Sequence, residues 1–212
     1  AMRRLEQVFA ARPEIADAGD AVDLPVVRGR IEFRDVEFAY PGQGNGAPVV
    51  RRVSFTVEPG EKLAIVGRTG AGKTTLVQLL PRLFDATGGA ILLDGHDVRT
   101  LSLSTLRRAI GFVPQDPFLF STTIRDNVAL GLDRPDEDRI RAAVRSAGVS
   151  TDVEAFADRY DTVVGERGLT LSGGQKQRVT LARAIAVQPP VLVLDDALSS
   201  VDTRTEREIL HG

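Results

Sequence analysis

Hydrophobic and polar positions alternate in two segments near the start of the chain, as they do in half-buried strands. Ile31–Phe38 has an imperfect period of two and ends before the turn sequence Tyr40-Pro41-Gly42. Val49–Val57 follows a turn rich in Gly, Gln and Asn and ends at Glu58-Pro59-Gly60. The two segments are predicted to be antiparallel strands.

Beyond residue 60, short apolar runs alternate with segments of helical pattern. The predicted strands are Lys62–Val66, Ala90–Leu93, Gly111–Val113 and Val191–Leu194, and the predicted helices are Lys73–Leu80, Asp136–Ala147, Ser172–Val187 and Thr203–Leu210. Val191–Leu194 is wholly apolar, which is typical of a parallel strand covered on both faces. The alternation predicts an α/β fold with a parallel sheet.

The first 26 residues have a different character from the rest. Arg3–Ala11 carries apolar side chains at helical spacing, and Pro13–Pro25 contains Asp17, Asp20 and Asp23. We therefore expect residues 1–26 to be a connecting helix and an acidic linker, and residues 27–212 to be the domain proper.

The composition narrows the class of protein. The chain has 212 residues with 27 basic and 29 acidic side chains, a net charge of −2, so no basic excess indicates a nucleic-acid partner. The lack of cysteine excludes disulfides, thiolate metal sites and a cysteine nucleophile. His96 and His211 lie far apart and do not indicate a zinc site, and no apolar run approaches the ~18 residues of a membrane helix.

One segment matches the phosphate-binding pattern G-x-x-x-x-G-K-[ST] in full. It consists of Gly67, Arg68, Thr69, Gly70, Ala71, Gly72, Lys73 and Thr74. It stands between a predicted strand and a predicted helix, which is the context that the pattern requires. Its glycines let backbone N–H groups point inward, Lys73 supplies a charge for the β- and γ-phosphates, and the Thr74 hydroxyl can bind Mg²⁺.

A carboxylate follows the apolar strand Val191–Leu194. Ligands of parallel sheets bind beyond the carboxyl ends of the strands. Asp195 is therefore expected to face a Mg²⁺ ion held at Thr74.

Leu171-Ser172-Gly173-Gly174-Gln175 narrows the family, because it resembles the signature motif of ATP-binding cassette (ABC) proteins. Ser172 and Gln175 also have the spacing of a capping box, and both interpretations hold together, since a helix start with two glycines exposes N–H groups to an anion. In the family, this site meets the γ-phosphate that a partner domain holds.

Three further positions fit the same resemblance. Tyr40 is similar to the aromatic residue that stacks on adenine, although a tyrosine of the core at a strand end is the alternative. Gln115 resembles the Q-loop residue, which touches Mg²⁺ and the coupling helix of the membrane domain. Asp202 in Ser199-Ser200-Val201-Asp202 resembles the D-loop at the dimer interface.

Other segments have the character of exporters within this family. These segments are Thr162–Gly168, Phe118–Asn127 and the upstream helix beginning at Arg3. The resemblance implies the nucleotide-binding domain of a multidrug or lipid exporter, with transmembrane domains outside this chain. A soluble ABC ATPase of DNA repair or translation is a less favoured alternative.

The resemblance implies a complete architecture and mechanism. The fold would be a P-loop NTPase with a mainly parallel core sheet, an antiparallel β subdomain at the N-terminal side and a helical subdomain at about 116–180. Gly67 through Thr75 would wrap the phosphates of ATP, and Thr74, Gln115 and Asp195 would surround Mg²⁺. Ser172, Gly173, Gly174 and Gln175 would complete the site of a second such domain, bound head to tail at the cytoplasmic face of a membrane.

Two departures from the family pattern bear on activity. Asp196 stands where most active members have a glutamate that polarises water, and its carboxylate is shorter by about 1.5 Å, one C–C bond. The switch histidine of the family would come after the last residue, Gly212, and His211 is too early for that role. We hypothesise that the chain is the slowly hydrolysing half of an asymmetric pair, or a mainly ATP-binding, regulatory cassette; a homodimer with Asp196 as base stays open.

Overall fold

The structure is a computed structural model that describes Phe9 and residues 13–42, 47–165 and 170–197. The chain divides into two compact units, Ala1–Leu106 and Arg107–Gly212. The predicted helix Thr203–Leu210 and most of the predicted helix Arg3–Ala11 lie outside the described residues.

The first unit is built on an antiparallel sheet. Its strands are β1 (Ile31–Phe38), β2 (Val50–Val57), β3 (Gly88–Leu93) and β4 (His96–Asp97), in the order β2-β1-β3-β4. Phe33 of β1 lies opposite Phe55 of β2, and the two rings stack with centroids 4.5 Å apart. The antiparallel pairing of β1 and β2 confirms the prediction from their alternating pattern.

Two short helices are described in this part of the chain, and the second of them spans the boundary between the two units. Helix α1 (Lys73–Leu79) begins after Gly72 and buries Thr75, Leu76 and Leu79. Helix α2 (Leu103–Arg108) buries Leu106. Burial of this face stabilises the seven-residue α1, because so short a helix is only marginally stable in isolation.

The predicted acidic linker is bound to the fold. Asp17 accepts a hydrogen bond from the backbone N–H of Leu103 at 2.7 Å, and Asp23 accepts hydrogen bonds from the hydroxyls of Ser102 and Thr105. These hydroxyls hold the pKa of the Asp23 carboxyl below its usual value. The carboxylates of Asp17 and Asp23 therefore accept hydrogen bonds from N–H and O–H donors at the start of α2.

The second unit combines a parallel strand pair with helices. Strands β5 (Ile110–Val113) and β6 (Val191–Leu194) pair in parallel, with Val113 opposite Leu194. The helices are α3 (Ile124–Ala129), α4 (Glu137–Ser146), α5 (Ser150–Ala155), a 3-10 turn (Arg159–Asp161) and α6 (Gly173–Ala186). Its core includes Ile124, Val128, Ile140, Val144 and Leu181, all buried.

Side-chain caps explain where three of these helices begin. Thr123 caps α3 by accepting the N–H of Asp126, and Asp136 caps α4 by accepting the N–H groups of Asp138 and Arg139. Ser172 caps α6. The caps satisfy donors that have no partner within the first turn.

The α/β class and the antiparallel sheet at the N-terminal side agree with the sequence prediction. The helices predicted at Lys73, Asp136 and Ser172 and the strands predicted at Ala90, Gly111 and Val191 are present with small shifts in their ends. The six-residue helices α2, α3 and α5 were not foreseen, since so few residues give little periodicity. No helix among the described residues is long and apolar enough to span a membrane.

The predicted strand Lys62–Val66 is wrong for this structure. No strand ladder is described for it, and Leu63, Ile65 and Val66 are exposed. The four-stranded sheet of the first unit is assembled from other segments. An apolar run becomes a strand only where a neighbour supplies the N–H and C=O partners, and the sequence does not contain that information.

Candidate functional site

The predicted phosphate loop is open and shaped by glycine. Residues 67–71 are exposed. Gly70 and Gly72 have φ values of 80° and 87°, in the left-handed region that favours glycine. A Cβ on Gly72 would lie 3.0 Å from the carbonyl oxygen of Val49, whereas one on Gly70 would meet nothing within 4 Å. The loop therefore packs closely at Gly72 and is open at Gly70.

The ammonium group of Lys73 is folded over this loop. Its Nζ donates hydrogen bonds to the carbonyl oxygens of Gly67 at 2.7 Å and Arg68 at 3.1 Å. The cation is thus held over the loop by the loop's own backbone. An open glycine-bearing loop with a cation above it fits a phosphate group, because both its N–H groups and its ammonium favour an anion.

Tyr40 and Thr75 meet beside the loop. The Tyr40 hydroxyl and the Thr75 Oγ1 lie 3.0 Å apart, and either can donate the hydrogen bond. The Tyr40 ring makes edge contacts with Phe38, at 4.8 Å between centroids, and with Phe84, at 5.4 Å. The ring is half-buried, so it is part of a small aromatic cluster and keeps exposed surface as well.

Three polar residues of the second unit follow the carboxyl ends of its parallel strands. Because β5 and β6 run in parallel and Val113 is opposite Leu194, both strands end at the same edge. The N–H of Asp195 donates to the carbonyl of Val113 at 2.9 Å. Gln115 follows β5 and is exposed, Asp195 is buried, and Asp196 is exposed with φ 51°. Gln115 and the two aspartates therefore follow neighbouring parallel strands at the same edge. Their meeting at one metal ion stays a prediction.

The described residues contain no group of three His, Cys, Asp or Glu side chains that could hold a metal ion. Mg²⁺ does not require such a group, because it usually takes one or two carboxylates and completes its coordination with water and phosphate oxygens. The side chains predicted to bind Mg²⁺ are the hydroxyl of Thr74 in the first unit, and the amide of Gln115 and the carboxylate of Asp195 in the second unit. All three offer oxygen donors of the kind that Mg²⁺ takes.

The predicted capping box at the signature motif is confirmed. Ser172 Oγ accepts the backbone N–H of Gln175 at 3.3 Å, and Gln175 Oε1 accepts the backbone N–H of Ser172 at 2.9 Å. Ser172 and Gly173 are exposed, and a Cβ on Gly173 would meet nothing within 4 Å. The start of α6 is therefore ordered by its own side chains and open on its outer side.

Asp152 on α5 holds the signature glutamine from behind. Its two carboxylate oxygens accept hydrogen bonds from Gln175 Nε2 and from the Arg178 guanidinium, each at 2.8 Å. The amide orientation that caps Ser172 is thus fixed by a residue outside the motif. No pattern in the sequence pointed to Asp152, because the contact spans 23 positions.

Arg183 and Asn127 form a polar connection that sequence reasoning missed. Arg183 donates to the carbonyls of Asn127 and Phe118 and to Asn127 Oδ1, at 2.7–2.9 Å. Fully buried Asn127 also bonds both backbone groups of Phe120 at 2.9 Å. Burial lowers the pKa of the Arg183 guanidinium. The one sequence signal was a cation inside the apolar stretch Leu181–Ala186.

Asp202 and Glu166–Gly168 lie outside the described residues.

The chain is similar to known proteins over nearly its whole length. Residues 50–199 match the protein family described as "ABC transporter". The chain is 44% identical to the ATP-dependent lipid A-core flippase of Syntrophus aciditrophicus, covering 98% of this chain and 34% of the relative. It is 43% identical to ATP-binding cassette sub-family B member 6 of Homo sapiens, covering 98% of this chain and 24% of the relative.

A solved structure shares the fold. A bacterial Atm1-family ABC exporter with ATP bound superimposes with a TM-score of 0.91 at 40% identity, covering 99% of this chain and 36% of that one. This likeness confirms the expected P-loop NTPase fold. The chain spans about a third or less of the length of these proteins.

Proposed function

The chain belongs to the ABC transporter family, and from this premise we propose that it binds MgATP and hydrolyses it to drive export through associated transmembrane domains. The observation that carries the proposal is the open loop of residues 67–71 with the Lys73 ammonium held over it. The similarity to exporters along the whole chain supports the direction of transport.

In the proposed site, residues 67–75 surround the phosphates of ATP. Lys73 exchanges its two carbonyl partners for phosphate oxygens, and the N–H groups of the loop stabilise the remaining charge. Tyr40 stacks on adenine with the exposed part of its ring. Mg²⁺, when bound, neutralises phosphate charge and orients the γ-phosphate.

Thr74, Gln115 and Asp195 are the proposed ligands of that metal. They belong to different units of the chain, so their assignment to one site rests on the motifs. Asp196 follows Asp195 and is exposed, and we assign it the task of polarising the attacking water. Positioning and charge neutralisation supply most of the rate in phosphoryl transfer.

A second nucleotide-binding domain is the proposed partner across the signature motif. The exposed, capped start of α6 at Ser172 and Gly173 supports this role, because it offers N–H groups to a phosphate held elsewhere. The exposed rings of Phe118 and Phe120 support contact with a transmembrane domain near Gln115.

Titration calorimetry with MgATP tests the core of the proposal. The native chain is expected to bind, and Lys73→Ala is expected to weaken binding at least tenfold. Lys62→Ala, an exposed lysine outside the loop, is the matched control and is expected to bind like the native chain. Equal affinities for native and Lys73→Ala would contradict the assignment of the loop.

A second candidate function is a mainly ATP-binding, regulatory cassette, and Asp196 favours it. A carboxylate displaced by about 1 Å can lower a rate on the order of a hundredfold, while binding needs only the phosphate loop. The comparison is MgATP turnover of the native chain and Asp196→Glu under identical conditions. A turnover rate about tenfold or more higher in Asp196→Glu, which corresponds to an activation barrier lower by ~1.4 kcal/mol, supports slow hydrolysis at the native site. Comparable and substantial rates refute it.

A further inference from the structure

The segment that leads into β1 lies along the first unit. Val22 forms an isolated parallel bridge with Leu101. Its N–H donates to the carbonyl oxygen of Thr100 at 2.9 Å, and its carbonyl oxygen accepts the N–H of Ser102 at 3.0 Å. The backbone of this segment is therefore paired with the residues that come directly before α2, far away in the sequence.

Two carboxylates fasten the same segment to the start of α2. Asp17 accepts the backbone N–H of Leu103 at 2.7 Å. Asp23 accepts hydrogen bonds from the hydroxyls of Ser102 and Thr105. The Ser102 hydroxyl in turn accepts the backbone N–H of Thr105 at 3.1 Å, so Asp23 orients the side chain that caps α2. The first turn of this six-residue helix thus depends on acceptors from the segment before β1.

A third carboxylate holds the other end of the segment. Asp94 lies in the turn between β3 and β4. Its carboxylate accepts the backbone N–H groups of Arg28 at 2.6 Å, Gly29 at 3.4 Å and Arg30 at 2.8 Å. The N–H of Asp94 donates to the carbonyl oxygen of Arg30 at 2.8 Å. Residues 17–30 are therefore attached at both ends and in the middle.

These attachments are mainly polar. Val22 and Val26 are 46% and 74% exposed, so burial of their apolar surface contributes little. Hydrogen bonds from N–H and O–H groups to ionised carboxylates are about twice as strong as those between neutral groups. Every contact lies within the first unit. No hydrogen bond joins residues 13–16 to the other residues that the structure describes, so the attachment begins at Asp17.

We propose that residues 17–30 form a strap that fastens the upstream chain to the first unit, so that the pivot between the two lies before Asp17. The domain then begins at Asp17, earlier than the residue 27 that the sequence pattern predicts. The strap itself depends only on contacts within this chain. Its use rests on the proposed function: a movement of the proposed transmembrane domain, arriving through the upstream chain, is passed on to the first unit.

The physical reason is that a loose linker absorbs movement. A flexible segment of this length has an end-to-end distance of about 20 Å, and displacements smaller than that only change its shape. A segment attached at both ends and in the middle lacks this freedom and moves with the first unit. The acids of the linker are the groups that prevent it from stretching.

Amide hydrogen exchange of the whole chain tests whether the strap is one unit. The N–H of Leu103 is bonded to Asp17 and not to Asp23. Asp23→Ala is nevertheless expected to raise its exchange rate about tenfold or more, because release of one attachment loosens the others. Asp20→Ala, an exposed acid of the same segment, is the matched control and is expected to leave the rate unchanged. Native exchange of the β1 amides verifies that each variant is folded.

An unchanged exchange rate of the Leu103 amide in Asp23→Ala would overturn the strap, because the attachments would then be independent of one another. Asp94→Ala examines the opposite end. It is expected to raise the exchange rates of the Arg28 and Arg30 amides and also that of the Val22 amide, which Asp94 does not contact. A rise confined to Arg28 and Arg30 would likewise overturn the proposal.

Spin labels locate the pivot. The chain has no cysteine, so a single introduced cysteine carries the label. Glu14→Cys and Val26→Cys are exposed positions before and inside the strap. The label at 26 is expected to move with the domain, with a correlation time at least about threefold longer than that of the label at 14. Asp23→Ala is expected to reduce this difference, and equal mobility in the native chain would overturn the placement of the pivot.

MgATP separates this proposal from the proposed function. The strap contacts lie outside the phosphate loop, so saturating MgATP is expected to leave the exchange rate of the Leu103 amide unchanged. A clear rise on addition of MgATP would mean that the strap is released when nucleotide binds, and would overturn its role as a permanent attachment. If calorimetry shows no binding of MgATP, the proposed function fails, while exchange and spin labels still decide the strap. If MgATP binds and Asp23→Ala exchanges like the native chain, only the strap fails.

Discussion

Replacement of Arg183 by methionine tests the polar connection between α6 and the segment that follows Gln115. Methionine keeps the unbranched aliphatic stem and removes the guanidinium. The change deletes the donors to the carbonyls of Phe118 and Asn127 and to Asn127 Oδ1. It also removes the cation that lies 5.8 Å from the centre of the Phe120 ring. Every lost contact lies within the second unit.

The expected loss of stability follows from these contacts. A hydrogen bond to a charged group contributes about 1.5–3 kcal/mol, but bonds that share one side chain are not additive. Asn127 keeps its own bonds to Phe120, which limits the loss, while burial of Asn127 increases it. We therefore expect Arg183→Met to lower the free energy of unfolding by about 3 kcal/mol.

Urea unfolding is the assay, followed by tyrosine fluorescence in a Tyr40→Phe background, where Tyr160 reports on the unit that contains Arg183. Arg145→Met, an exposed position on α4, is the matched control and is expected to change stability by less than about 0.5 kcal/mol. Arg183→Lys is expected to recover only part of the loss, because a lysine cannot reproduce the planar fork. A value for Arg183→Met within about 0.5 kcal/mol of the control would refute the reasoning.

Three further changes test other parts of the site. Gly72→Ala is expected to destabilise the chain by about 1–2 kcal/mol and to weaken MgATP binding, since φ is 87° and a Cβ would be 3.0 Å from a backbone oxygen; native unfolding and affinity would contradict this. Asp152→Asn is expected to slow MgATP turnover while leaving ATP affinity unchanged, because it loosens Gln175; an unchanged rate would show that the contact is only structural. Hydrogen bonds from Thr122 and Thr123 lower the pKa of Asp126 below 3.8, so its stabilisation is present above that value and lost as pH falls through the folded pKa; Asp126→Asn is therefore expected to reduce the drop in urea midpoint between pH 7 and pH 3, and an equal drop would refute the sign.

Local chemistry explains what could be predicted from the sequence. The phosphate loop was predictable because its pattern occupies eight consecutive residues, and Lys73 binds the backbone of the same loop. The cap of α6 was predictable because Ser172 and Gln175 are three positions apart, and the structure confirms both of its hydrogen bonds. In both motifs, the residues that interact are close together in the sequence.

Contacts between distant positions could not be predicted in this way. Asp152 reaches Gln175 across 23 positions, and Arg183 reaches Phe118 across 65. Nothing near Thr75 in sequence indicates that its partner is Tyr40, 35 positions earlier. Each of these hydrogen bonds joins a distant residue to a motif residue or to the segment next to a motif. The sequence therefore identified the groups expected to contact a ligand and missed the groups that orient them.

The segment Lys62–Val66 shows the same limit for secondary structure. Its composition is that of a buried strand, and Leu63, Ile65 and Val66 are nonetheless exposed while the first unit completes its sheet without them. The apolar side chains of a segment indicate that its burial is favourable in free energy. They do not indicate which neighbouring segment supplies backbone hydrogen bonds. A strand forms only when its side chains are buried and its backbone is also paired. A pattern of side chains therefore predicts burial more directly than it predicts strand pairing.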